Sequence, residues 1–142
     1  MKKIIITALS FALFSCGASK VAVPEKKGLY EVLTQQADGG GNIRFFEILS
    51  EPNEIKMLQN DETLNKKISV NDVQNSNFVI LNMGEKSTGG YSIGIESVVE
   101  TDKNIVIKVK ETVPKEGAMV TQAITYPFCV VKINSKKEII IQ

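Results

Sequence analysis

The sequence predicts a mainly β fold: an antiparallel sheet or small β-sandwich with one short helix. Three observations point there. Apolar residues alternate with polar or small ones at period two, in Tyr91, Ile93 and Ile95 against Ser92, Gly94 and Glu96, and Ile105, Ile107 and Val109 are spaced the same way, as in half-buried strands. Turn-forming residues separate these runs at Gly39–Gly41, Asp102–Asn104 and Pro114–Gly117. Only one segment carries the start signals of a helix. Several strands with a single helix suggest a sheet-on-sheet or one-sheet architecture.

The first part of the chain lies outside that fold. Lys2 and Lys3 precede an uncharged apolar run, Ile4 to Phe14, and then Ser15 and Cys16. A positive head, an apolar middle and a small residue at the end are the three parts of a secretory signal. The run has 11 residues, well below the about 20 that cross a bilayer. Leu13-Phe14-Ser15-Cys16 resembles the bacterial lipobox, with Phe14 bulkier than its strictest form. That resemblance implies cleavage after residue 15, lipidation of Cys16 and a cell-envelope location. Gly17 is not an acidic retention residue, which permits the outer membrane, on its periplasmic or surface face. Residues 16–28 would be the lipidated cysteine and a short tether with Pro24. Residues 29–142 are expected to form one β-rich domain.

Within that domain, Leu29 to Gln36 alternates and reads as a strand. Gly39-Gly40-Gly41 reads as a turn and Ile43 to Leu49 as a second strand, the two forming a hairpin. The glycines have neither the lysine nor the spacing of a phosphate loop. Ser50 to Leu58 reads as a helix capped by Ser50, with Pro52 in its first turn and Glu51 and Glu54 at its positive end. Residues 61–77 scatter Leu64, Ile68, Val70 and Val73 without a period and give no assignment. Phe78 to Asn82 is a continuous apolar run ending in Asn, consistent with a buried strand. Met119 to Thr125 and Phe128 to Ile133 read as further strands. Glu138 to Ile141 would close the sheet or lie at its edge.

Composition excludes several function classes. Of 142 residues, 17 are basic and 16 acidic, and none is His. The signal carries two of the lysines and no acid. The 127 residues after it therefore hold 15 basic and 16 acidic groups, and a nucleic-acid partner would want a basic stripe. Membrane contact would come from lipid on Cys16, where each buried methylene contributes about 0.8 kcal/mol. Without His, the commonest general base and metal ligand are missing. No cofactor, metal or catalytic residue is expected. Cys129 is left without a disulfide partner once Cys16 is lipidated, and it reads as a small buried hydrophobe. Ser87 and Ser92 lack an identifiable base. Lys132, Lys136 and Lys137 read as a solvated edge.

The most distinctive stretch is Lys86-Ser87-Thr88-Gly89-Gly90-Tyr91. Paired glycines before a strand allow a sharp turn and close backbone approach, either as a binding loop or simply as the start of a strand. Thr88 to Tyr91, the Glu111 to Pro114 turn, Thr121-Gln122-Ala123 and Pro127 occur in the order of the PrcB C-terminal domain family. Residues 78–133 resemble that family, although Phe128-Cys129 departs from its pattern. The family takes its name from a lipoprotein subunit of a surface protease complex. The resemblance implies a non-enzymatic accessory that binds and stabilises or regulates an extracytoplasmic protease. The partner-binding loop would be Ser87, Thr88, Gly89, Gly90 and Tyr91, with a second contact at Thr121 and Gln122. Thr88 to Tyr91 is also similar to the cleft-entering loop of chagasin-type peptidase inhibitors, without the flanking Asn-Pro and Trp. That gives inhibition as an alternative. A structural envelope lipoprotein with no protease partner is a third.

Overall fold

An apolar run without alternation needs protein on both of its faces, and Phe78 to Leu81 has it. The computed structural model describes residues 28–142. The expected export signal, Cys16 and nearly all of the tether lie outside the described residues. Strand β3 (Asn77–Asn82) sits inside a four-stranded sheet with β1 (Tyr30–Gln36), β2 (Phe45–Leu49) and β6 (Phe128–Ile133), in the order β1-β6-β3-β2. A second sheet holds β4 (Ser92–Glu100), β5 (Asn104–Thr112) and β7 (Glu138–Ile141), in that order. Helices α1 (Pro52–Leu58) and α2 (Val70–Asn75) cover the other side of the first sheet. The mainly β class is borne out, as two sheets face to face with a helical layer outside them.

Strand periodicity divides the core in two. Val79, Leu81, Val131 and Ile133 project from β3 and β6 toward Ile93, Ile105, Ile107 and Ile139 of the second sheet. The alternate residues Phe78 and Val130 project the other way, against Ile55, Leu64, Ile68 and Val73 of the helical layer. Ile107 is fully buried, and its truncation to Ala would cost about 2–5 kcal/mol. Leu64, Ile68 and Val73 are explained by this second core: they reach it from a string of turns followed by α2, not from one helix face, while Val70 stands 83% exposed. Ser69 caps α2, accepting from the Asp72 N–H at 3.2 Å while the Asp72 carboxylate accepts from the Ser69 N–H at 2.8 Å. This is a capping box that the sequence displays and that our reading missed. The first helix begins later than expected. Its N-cap is Glu51, not Ser50, and the Glu54 carboxylate accepts from the N–H groups of both.

Three expectations are corrected. The first two strands do not form a hairpin. Their directions are opposed, but β6 and β3 lie between them, β1 pairing with β6 and β2 with β3. The intervening loop crosses the ends of the central strands. The Gly40 N–H donates to the Tyr126 carbonyl at 2.9 Å, and the Asn82 side chain grips the Gly41 N–H and the Gly41 and Ile43 carbonyls. A Cβ on Gly40 would lie 2.2 Å from Asn82 Oδ1 and 2.8 Å from the Tyr126 oxygen. Gly40 therefore serves close approach, not a two-strand turn. Met119 to Thr125 is not a strand; only Thr125 makes a bridge, with Lys86. Lys132 is not solvated. It faces the helical layer beside Val130, its side chain 12% exposed, with Glu31 at 3.0 Å and Asp72 at 3.5 Å. Strand β7 takes the edge position and runs parallel to β5.

Candidate protein-binding loops

Two loops leave the same end of the sheets, residues 83–91 before β4 and 113–127 before β6. The second would hang free unless something held it. The first holds it. Lys86 and Thr125 exchange backbone hydrogen bonds at 2.8 and 2.9 Å, and the Thr125 hydroxyl donates to the Thr88 carbonyl at 2.8 Å. The Gly89 N–H donates to the Thr121 carbonyl at 2.9 Å. A Cβ on Gly89 would sit 2.3 Å from Thr121 Oγ1. Gly90 has φ of +88°, and its missing Cβ leaves room for Val120 at 3.0 Å and Pro114 at 3.1 Å.

The structure thus joins the two expected contact regions, Ser87 to Tyr91 and Thr121–Gln122, into one clasp. It also divides labour between them. Gly89 is buried, and its N–H is engaged within the chain. Tyr91 is half-buried against the inter-sheet core, with the Lys86 ammonium 5.5 Å from its ring centroid. Ser87, Thr121 and Gln122 are exposed. The apolar groups that reach solvent belong to the second loop: Met119 is fully exposed (103%), Val113 63% and Ile124 55%. Sequence pattern hid Met119 and Ile124, because the 119–125 segment resembles a strand whose apolar residues would point inward.

The base of the clasp is tied down as well. The Tyr126 hydroxyl donates to Glu85 at 3.1 Å, and that carboxylate holds the phenol above its usual pKa. The Tyr126 N–H donates to Asp38 at 3.2 Å. Nucleophilic chemistry finds no support in this geometry. Lys86 adjoins Ser87 in sequence, but its ammonium lies over Tyr91. Cys129 is buried between the sheets, and burial pushes its thiol up to about 11, away from the thiolate that reacts. Among the described residues, no group of three or more Cys, Asp or Glu side chains is placed to hold a metal. Among the same residues, no helix is long and apolar enough to cross a membrane.

Fold and site together are those of a small β domain that displays apolar side chains on a braced loop. Residues 77–134 match the family model described as PrcB C-terminal, in agreement with the resemblance read from the motifs. No curated protein and no solved structure matches the chain. The matched segment runs from the first residue of β3 to the residue after β6. It holds the two central strands of the first sheet, the β4–β5 pair and both loops of the clasp. Strands β1, β2 and β7 and both helices lie outside it.

Proposed function

We propose that this is a non-enzymatic, lipid-anchored protein of the cell envelope that binds a protein partner through the 113–124 loop, and that the partner is an extracytoplasmic protease it stabilises or regulates. The observation that carries the binding surface is Met119, whose side chain stands wholly in solvent on a backbone fixed through Gly89 and Thr125. A flexible, polarizable methionine on a pre-ordered loop suits docking into an apolar pocket at low entropic cost. Support for the protease comes from the PrcB C-terminal match over 77–134. Support for the anchor comes from the Leu13 to Cys16 pattern. The clasp favours presentation by the second loop over a chagasin-like insertion of Thr88 to Tyr91.

The test uses the mature chain, with Cys16→Ser to keep it unlipidated, as bait in native envelope extract. An extracytoplasmic protease identified by mass spectrometry, and lost with Met119→Asp, is the expected result. Met119 packs against nothing, so its substitution leaves folding intact. Recovery of the same protease with wild-type bait and with Met119→Asp removes the loop from the reading. Recovery of no protease removes the partner. Lipid labelling that survives Cys16→Ser in the full chain removes the anchor.

A further inference from the structure

A second surface lies outside the clasp, on the helical side of the first sheet. A cleft of about 620 Å³ opens between α1 and the Gly39–Gly41 crossing, over a floor of Ile80, Phe128 and Val130. Its volume is within the range of ligand sites. The charged groups lining it are Glu47, Glu54 and Asp61, with no lysine or arginine. Glu54 is occupied with the N-terminus of α1, and Asp61 with Thr63 and Leu64. Among the described residues, the Glu47 carboxylate has no hydrogen-bond or ion-pair partner.

Strand β2 forms one wall of this cleft and is also a sheet edge. Proteins blunt exposed edges with bulges, charges or short strands. Of the four edges here, β1 is bulged between Val32 and Thr34, β4 is bulged between Ile95 and Ser97, and β7 is four residues long. Strand β2 keeps unbroken register with β3 from Phe45 to Leu49, and Phe45 and Ile48 are 40% and 37% exposed. No described residue pairs with its outer side.

We propose that the β2 edge accepts an extended segment of a partner protein as an added strand, with alternate apolar and basic side chains directed over the cleft. Strand addition takes its affinity from main-chain hydrogen bonds and its selectivity from the pockets that meet every second side chain. Phe45, Glu47 and Leu49 share the cleft face. The matching face of the added strand is therefore apolar, basic, apolar, with the basic group opposite Glu47. A second copy of this chain fits less well, because antiparallel β2 strands centred on one another would set Glu47 against Glu47. None of the residues lining the cleft belongs to the 83–91 or 113–127 loops, so this site stands or falls independently of the clasp.

The probe is fluorescein-labelled Ser-Leu-Thr-Lys-Thr-Leu-Ser, blocked at both ends, whose palindromic sequence presents Leu, Lys and Leu on one face in either strand direction. Anisotropy titration against the mature Cys16→Ser chain should saturate. The peptide with Glu in place of Lys should bind about tenfold more weakly. N-methylation of alternate backbone nitrogens should abolish binding, and peptide should slow amide exchange in Phe45–Leu49. In Glu47→Lys the preference between the Lys and Glu peptides should reverse; Glu47 is exposed, so that variant folds. Any of four results overturns the proposal: no saturation at about 1 mM peptide, equal affinity for the two peptides, undiminished binding after N-methylation, or self-association of the chain that protects β2 without peptide.

Discussion

Gly90→Ala should unfold the clasp more than its single methyl suggests. Gly90 has φ of +88°, a region where a Cβ costs about 1–2 kcal/mol. The new methyl would also sit 3.0 Å from Val120 and 3.1 Å from Pro114. Both belong to the opposing loop, which must shift, adding about 1 kcal/mol at the low end of overpacking costs. Removing a glycine also stiffens the unfolded chain, which returns about 0.4–1 kcal/mol. Gly117→Ala separates these contributions. Its φ is +75°, and nothing lies within 4 Å of the added Cβ. It has the backbone and unfolded-chain effects without the crowding. Urea unfolding should place Gly90→Ala about 1 kcal/mol below Gly117→Ala, a difference of roughly 4 °C in Tm for a domain of this size. Amide exchange at Gly89, whose N–H is held by Thr121, should quicken in Gly90→Ala alone. Equal destabilisation of the two variants, with Gly89 protection unchanged in both, would show that the loops are not braced against each other.

Further outcomes follow from the two cores. Cys129 should resist a disulfide exchange reagent at pH 8 and react on unfolding, since burial raises its thiol to about 11; Cys129→Ser should cost about 1–3 kcal/mol for a buried hydroxyl, and native-state labelling would contradict its place in the core. Burial pushes the Asp72 carboxyl up, but the Ser69 hydrogen bonds and the Lys132 charge outweigh it and hold the pKa below the ordinary 3.8. Its stabilisation is whole above the unfolded value and is lost as pH falls through the lower folded one. Asp72→Asn should therefore lose about 1 kcal/mol at pH 7 and decline less steeply below pH 4 in urea titrations at several pH values. A fragment of residues 77–134 should not fold alone, as judged by circular dichroism and amide exchange, because it strips the helical cover from Phe78 and Val130; a cooperative unfolding transition in that fragment would show that the second core is dispensable.

The strands that were legible in the sequence share a physical property. Strands β4 and β5 each turn apolar residues toward the other sheet, so period two shows directly in Ile93 and Ile105–Ile107. Strand β3 lies between two cores and shows as an unbroken run. What stayed hidden depended on distant partners. Strand β1 pairs with β6, not β2, and the loop between β1 and β2 is anchored by Asn82, about forty residues away in sequence. The 119–125 segment has the composition of a strand, but its backbone bonds go to Gly89 and Lys86, not to a sheet. Lys132 was beyond alternation alone: Val131 and Ile133 take the inter-sheet face, so period two puts Lys132 on the other side of β6, and it is the helical layer with Asp72 that covers it there.

The two surfaces divide along the limits of the family match, and that bears on how each is to be interpreted. Every residue of the clasp falls within 77–134. The cleft takes only its floor from that segment; its walls come from β2, α1 and the glycine crossing, all outside it. A binding property traced to the 113–124 loop can therefore belong to the matched segment itself. One traced to Glu47 belongs to what this chain adds around that segment. Met119→Asp and Glu47→Lys, assayed against the same captured protein, distinguish the two: sensitivity to the first alone assigns recognition to the matched segment, and sensitivity to both makes the partner a ligand of opposite sides of one domain.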